Sequence, residues 1–273
     1  MKVLEYQVIT SEQNPIIKHI KGLKLKKNRI KYNSYLVEGV RIIDEAIRHQ
    51  AQMERVVFCS SLVNVEGGRK LLMQAQKKYT VNEITPELMK KLSDTENPQG
   101  IIAVAQNQNN SLEAININHQ ATIVILDRIQ DPGNLGTIIR TAEAAGTDGI
   151  ILTKGSVDPY NSKTIRGTMG ALFHIPVIIC NDNDEWIEFI KKYKFKLFAS
   201  HLETNQSYDD IEYPEKTAII IGNEANGIDE KLLKIADEAI KIPIYGKIES
   251  LNASVAAGLL MYKAVEKRKS IND

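Results

Sequence analysis

Two cysteines in 273 residues, Cys59 and Cys180, form no CxxC pair. This argues against a disulfide framework and a zinc knuckle, and both read as small buried hydrophobes. The five histidines, His19, His49, His119, His174 and His201, show neither HxxH nor HExxH spacing, so no metal is expected. The opening MKVLEYQVIT lacks the apolar core of a signal peptide, and no later run reaches the roughly 18 apolar residues a membrane span needs. A cytoplasmic protein with no membrane partner is the expectation. Neither GxGxxG nor GxxxxGK[ST] occurs, which removes the dinucleotide and P-loop fingerprints and with them a nucleotide-dependent oxidoreductase.

Acidic residues are missing between Glu12 and Glu38, a stretch that holds Lys18, Lys21, Lys24, Lys26, Lys27, Arg29 and Lys31. Residues 1–105 carry 17 Lys+Arg against 11 Asp+Glu, and the remainder 18 against 23, so a net charge of +1 conceals a basic front and an acidic back. A basic cluster of this kind suits a phosphate backbone, although a solvated helix face has the same composition.

What is present is an alternation of helix and strand signals. With 43% hydrophobic and 25% charged residues, the chain is long enough for two cores. Asn14-Pro15 predicts a capped helix start, followed by Ile16, Ile17, Ile20 and Leu23 at helical spacing with lysines on the other face. YLVEG, a helix over Val40–His49, RVVFC, a helix over Arg69–Lys78, a Thr85-Pro86 helix start, the loop SDTENPQG and IIAVA complete an α/β domain over 1–105. The polar QNQNNSLEAININHQ, residues 106–120, reads as a linker. From 121 to 273 the pattern restarts: TIVILD, a helix over Gly133–Ala145, GIILT, a helix over Asn161–Met169, IPVIIC, KLFAS, TAIIIG, EAIKIPI and a final helix over Asn252–Lys269. Continuous apolar strands predict a parallel sheet covered on both faces.

Three polar, glycine-bearing segments each follow a predicted strand: DRIQDPGNLGTIIRTAEAAG, GNEANGI and YGKIESLNASVAAG. Ligands of open α/β sheets bind at the carboxyl ends of strands, so the three should converge. Gly133 and Gly136 permit close backbone approach at a helix start, and Arg140 lies one turn beyond Gly136, placed either to reach a ligand or to face solvent. Gly222 to Gly227 make a tight turn presenting Glu224 and Asn226, unless Asn223 and Asn226 merely serve an Asx turn. Ser250 or Asn252 is expected to cap the last helix.

In order and spacing, these segments resemble the three signature motifs of the SpoU (TrmH-type) family of RNA ribose methyltransferases, within the SPOUT superfamily. Asn134 and Arg140 match the first motif, GNEANGI the second, and the isoleucine-proline strand with SLNASVAAG the third. The resemblance implies an α/β fold. Its C-terminal domain is a knotted (trefoil), mostly parallel sheet, preceded by a small ribosomal-protein-like (L30e-like) α/β domain that binds RNA substrate. It implies S-adenosyl-L-methionine as cofactor, held largely by backbone at Gly222, Ile242 and Leu251 with Ala199 and Ser200, and a homodimer formed through the C-terminal domain. The implied catalytic set is Arg140, Asn134, Glu224, Ser250 and Asn252, with RNA contacts from Lys18, Lys21, Lys24, Lys26, Lys27 and Arg29. Arg140 is either the base for the ribose 2'-hydroxyl or the group that orients it, since arginine normally stays protonated. Ribosomal RNA is the expected substrate, with transfer RNA or a non-enzymatic RNA-binding role as alternatives.

Overall fold

A computed structural model describes residues 8–107 and 111–269; the rest of the expected domains and linker lies outside the described residues. The chain divides into two compact units, residues 8–107 with 160–173, and residues 111–159 with 174–269.

The first unit contains α1 (Pro15–Gly22), α2 (Lys26–Tyr32), β1 (Ser34–Glu38), α3 (Val40–Arg48), β2 (Met53–Phe58), α4 (Gly68–Lys78), β3 (Val81–Glu83), α5 (Pro86–Leu92) and β4 (Ile101–Gln106). Its sheet runs β1-β4-β2-β3, with β4 antiparallel to both neighbours and β2 parallel to β3. Ile17, Ile20 and Leu23 of the first helical stretch bury against Val57, Leu88, Met89, Leu92, Ile102 and Val104. Burying each such side chain contributes about 1.5–3 kcal/mol, which is why this stretch is helical despite its length.

The lysine-rich region is not one helix. Asn28 Nδ2 donates to the carbonyl of Gly22 (2.8 Å), and Arg29 Nη1 to those of Leu23 (2.9 Å) and Lys24 (2.7 Å). These side chains take the carbonyls at the end of α1, so α2 starts afresh at Lys26.

The second unit contains β5 (Ala121–Leu126), α6 (Pro132–Ala145) and β6 (Gly149–Leu152). Next along the chain comes α7 (Ser162–Thr168), which belongs to the first unit, where it packs on β1 and Tyr160 lies over Tyr35 with ring centroids 4.7 Å apart. The sequence pattern places this helix in the domain over 121–273, whereas its contacts place it in the first unit. Tyr160 Oη also donates to Asn107 Oδ1 (2.7 Å). The second unit resumes with β7 (Val177–Ile179), α8 (Asn183–Lys192), β8 (Lys196–Ser200), β9 (Lys216–Ile221), α9 (Glu230–Ile235), β10 (Glu238–Ile240) and α10 (Ala253–Lys269).

All six strands are parallel, in the order β10-β8-β9-β5-β6-β7. Every residue of β5 and β6 is buried, as continuous apolar runs require. Trp186, Phe189 and Leu232 cover one face of the sheet with Ile123, Ile125, Ile151 and Ile220. The last strand is shorter than EAIKIPI predicts. After Ile240 the chain leaves the sheet, Lys241 N–H going to the carbonyl of Gln206 (2.9 Å), and Pro243 has no N–H to continue a ladder. β10 is an edge strand, yet α10 packs on α6 and against β9 and β5. Residues 241–252 therefore return the chain from the sheet edge to its centre, a traverse consistent with a knotted domain. No described helix is long and apolar enough to cross a membrane.

Candidate active site

Because the strands are parallel, the segments after β5, β9 and β10 all emerge at one end of the sheet. Their side chains join there. Asn134, in the first turn of α6, donates through Nδ2 to Glu224 Oε1 (3.0 Å) and accepts through Oδ1 from Asn252 Nδ2 (2.9 Å). Glu224 also accepts from the backbone N–H of Gln130 (3.3 Å) and Asp131 (3.4 Å). Burial alone raises the Glu224 pKa, but these donors, led by Asn134, outweigh it and hold the carboxyl below its ordinary 4.5. Glu224 is thus an ionised acceptor with its hydrogen bonds committed.

Each segment is fixed locally. Asp131 caps α6 by accepting from Asn134 N–H (2.8 Å), and Pro132 occupies the first helical position. Asn223 Oδ1 accepts from Ala225 N–H (2.9 Å) and Asn226 N–H (3.0 Å), and its backbone exchanges hydrogen bonds with Gly227. The Asx turn is therefore real and is made by Asn223, and it is this turn that presents Glu224. A Cβ on Gly222 would lie 2.4 Å from the carbonyl carbon of Gly227, so only glycine lets the turn close. Asn252, not Ser250, caps α10, accepting from Ser254 N–H (2.9 Å) and Ser254 Oγ (2.6 Å).

The residues 121–262 match the SpoU rRNA Methylase family, and 14–103 match the MRM3-like substrate binding domain. The chain belongs to the SpoU rRNA methylase family. Among similar proteins is the 23S rRNA (guanosine(2553)-2'-O)-methyltransferase RlmP of Bacillus subtilis (strain 168), 33% identical over 254 residues that cover 93% of this chain and 97% of that protein. A crystal structure of the SpoU methyltransferase AviRb from Streptomyces viridochromogenes in complex with AdoMet superposes with a TM-score of 0.88 at 26% identity, covering 94% of this chain and 99% of that one. An AdoMet-bound rRNA methyltransferase from Sinorhizobium meliloti gives 0.83 at 30% identity, covering 96% and 98%.

The other expected family residues fall at the same end of the sheet in part. Ala199 and Ser200 end β8, Gly222 follows β9, and half-buried Ile242 and Leu251 bracket the segment before α10. Among the described residues, no backbone N–H from Ile242 to Leu251 donates to another residue. A run of unpaired backbone groups beside small and apolar side chains fits a cofactor held by main-chain contacts. Arg140 is exposed on α6, and Ser250 is exposed ahead of α10; among the described residues the structure ties neither to the Asn134–Glu224–Asn252 chain.

Among the RNA candidates, Lys18, Lys21, Lys26 and Lys27 are exposed. Lys21 lies 3.6 Å from Glu12. Lys24 is engaged in the fold, pairing with Asp94 (2.8 Å) and donating to the carbonyls of Ser93 and Lys91, and Arg29 holds the end of α1.

Sequence reasoning missed Asp127. It is 2% exposed, and accepts from Arg128 Nη2 (2.8 Å), Thr153 Oγ1 (3.0 Å) and Asp229 N–H (2.9 Å). With Asn223 Nδ2 donating to Arg128 O (2.7 Å), it pins the first and second segments together. The one available signal was an aspartate ending the apolar run TIVIL, where a buried acid demands donors.

Proposed function

We propose that this protein transfers a methyl group from S-adenosyl-L-methionine to a ribose 2'-hydroxyl of ribosomal RNA in the cytoplasm. The observation that carries this reading is the hydrogen-bonded chain Asn252–Asn134–Glu224, which unites the three family motifs at the carboxyl end of the parallel sheet. The 2'-O-methylation of 23S rRNA for which RlmP and a 23S rRNA (uridine(2479)-2'-O)-methyltransferase of Streptomyces viridochromogenes are named supports the chemistry and the choice of ribosomal RNA.

The cofactor supplies a sulfonium methyl already activated by positive charge; transfer forms an O–CH3 bond, breaks S–CH3 and releases S-adenosylhomocysteine. Backbone at Gly222, Ile242 and Leu251, with Ala199 and Ser200, would hold it. Arg140 carries an exposed guanidinium with no carboxylate partner among the described residues. It orients the 2'-hydroxyl and the neighbouring phosphate, and the proton passes to phosphate or water, because arginine stays protonated. Asn134 and Glu224 keep the first turn of α6 rigid beneath the ribose, and Ser250 and Asn252 shape the approach to the methyl. Exposed Lys18, Lys21, Lys26 and Lys27 of the front domain contribute phosphate contacts. The return of residues 241–252 to the sheet centre supports a threaded, knotted chain. Val255 (51% exposed), Leu259 (39%) and Tyr262 (48%) leave an apolar stripe on α10, which supports a homodimer through the C-terminal domain.

Mass-spectrometric nucleoside analysis of ribosomal and transfer RNA from cells lacking the gene, with methylation restored in vitro by purified protein, tests this. A missing 2'-O-methyl nucleotide in ribosomal RNA is expected. Loss only in transfer RNA overturns the substrate, and no loss in either overturns the reaction.

A further inference from the structure

None of the seven residues of α2 is buried, although short helices ordinarily owe their stability to a packed face. The helix is held instead by polar anchors, Asn28 donating to the carbonyl of Gly22 (2.8 Å) and Arg29 to those of Leu23 (2.9 Å) and Lys24 (2.7 Å). Its apolar side chains stand open: Leu25, the N-cap, is 54% exposed, Ile30 70% and Tyr32 47%. Single exposed apolar residues are ordinary on a surface, but three in one short stretch that adds nothing to the core call for a partner.

Helical spacing sorts these residues onto two faces. Asn28, Arg29 and Tyr32 share the side turned to α1, where Tyr32 meets the His19 ring edge-on with centroids 4.9 Å apart. Lys26, Lys27, Ile30 and Lys31 share the other side, and all four are exposed. Lys31 joins the two, because its Nζ lies 5.1 Å from the centroid of the Tyr32 ring. That attraction between cation and ring keeps an ammonium group beside the open aromatic side chain.

The charge along this stretch is of one sign. No acidic residue stands between Glu12 and Glu38, and Lys26, Lys27 and Lys31 have no carboxylate partner among the described residues. An apolar protein surface would leave these ammonium groups buried and unpaired, whereas a polyanion neutralises them. Phosphates alone do not account for the open Tyr32 and Ile30. Double-stranded RNA is bound by shape and backbone, while a single strand offers bases that stack on aromatic rings.

We propose that α2 binds a single-stranded segment of the RNA substrate, with one unpaired base stacked on Tyr32, a neighbouring nucleotide against Ile30, and phosphates on Lys26, Lys27 and Lys31. The lysines by themselves would give only a phosphate contact; Tyr32 and Ile30 add contact to bases. The proposal rests on the RNA-methyltransferase reading above and deepens it by naming the form of RNA that the front unit takes.

The test uses the full-length protein and fluorescence anisotropy with a labelled single-stranded RNA of mixed sequence and an RNA duplex of equal length, each over a salt series. The wild type is expected to bind the single strand more tightly than the duplex. Tyr32→Ala should weaken single-strand binding about tenfold while leaving its salt dependence unchanged, because stacking releases no counterions. Tyr32→Phe keeps the ring and should keep the affinity, and Ile30→Ala should lose several-fold. Lys31→Glu should instead make the salt dependence shallower. Met73→Ala, an exposed apolar residue of α4 (46%), serves as the control and should change nothing. Unchanged affinity in Tyr32→Ala overturns the proposal, as does an equal loss in Tyr32→Phe or an equal loss of duplex binding. Unchanged RNA affinity in Tyr32→Ala and Ile30→Ala, with lost co-sedimentation on protein-containing ribosomal subunits, would assign the face to a protein and likewise overturn it. Ring-dependent RNA binding without any methyl transfer would sustain this inference while sinking the reaction proposed above.

Discussion

Asn134 and Asn252 stand 118 positions apart in sequence and share a hydrogen bond of 2.9 Å, in which Asn134 is the acceptor while its own amide donates to Glu224. The amide of Asn134 is used at both ends, so no residue lacking a donor and an acceptor on one short side chain replaces it. Asn134→Asp removes the donor and sets a second carboxylate against Glu224, and like charges at that distance oppose joint ionisation. Methyl transfer at neutral pH is expected to fall about tenfold or more and to recover partly as the pH is lowered and one carboxylate takes a proton. Asn134→Ala should lose activity without that recovery; identical pH profiles for the two variants would remove the electrostatic explanation.

Glu224 supplies a second pH signature. Its carboxyl is held below 4.5 in the folded chain, so its contribution to stability is full above the unfolded value and is lost as pH falls through the folded one. Glu224→Gln is therefore expected to lower Tm at neutral pH, and the gap from the wild type should close as the pH drops below 4.5. Thermal melts in a pH series check this. A gap that stays constant into the acid range would show that the ionised carboxylate contributes nothing.

Arg140→Ala should abolish turnover, by about a thousandfold or more if hydroxyl positioning and charge are both lost. Calorimetry should find S-adenosyl-L-methionine affinity nearly intact, because Arg140 is not among the residues assigned to the cofactor. Near-normal turnover defeats the assignment.

The lysines of the front domain separate into two groups. Lys24 is paired with Asp94 and capped onto two carbonyls, so Lys24→Glu is expected to destabilise the fold by about 1–3 kcal/mol. Exposed Lys26 and Lys27 should tolerate reversal to glutamate without a change in Tm, while RNA affinity weakens and its dependence on salt becomes shallower. Equal loss of stability in all three would contradict the division.

On α10, Leu259→Glu or Tyr262→Glu is expected to convert a dimer to a monomer in sedimentation velocity, since each places a charge on an exposed apolar stripe. A wild-type protein that already sediments as a monomer would rule out this surface as a stable interface.

Much of this protein is legible from local sequence alone. Asn14-Pro15 and Thr85-Pro86 each cap a helix in the structure as expected, because a short polar acceptor followed by proline satisfies helix ends by local geometry. The uninterrupted apolar runs of β5 and β6 are buried at every position, since burial on both faces leaves no place for alternation. The three motif segments, and the family they indicate, were likewise readable as short strings. Tertiary structure alone decided what those strings do to one another. It joined Asn252 to Asn134 and Asn134 to Glu224, placed Asp127 as the buried acceptor between two loops, and turned Lys24 and Arg29 inward. It also assigned α7 to the first unit. The reason is that helix caps and strand burial follow from neighbours within a few residues, whereas a hydrogen bond between distant side chains depends on strand order and on where each strand ends. A linear sequence specifies those only through the folded whole.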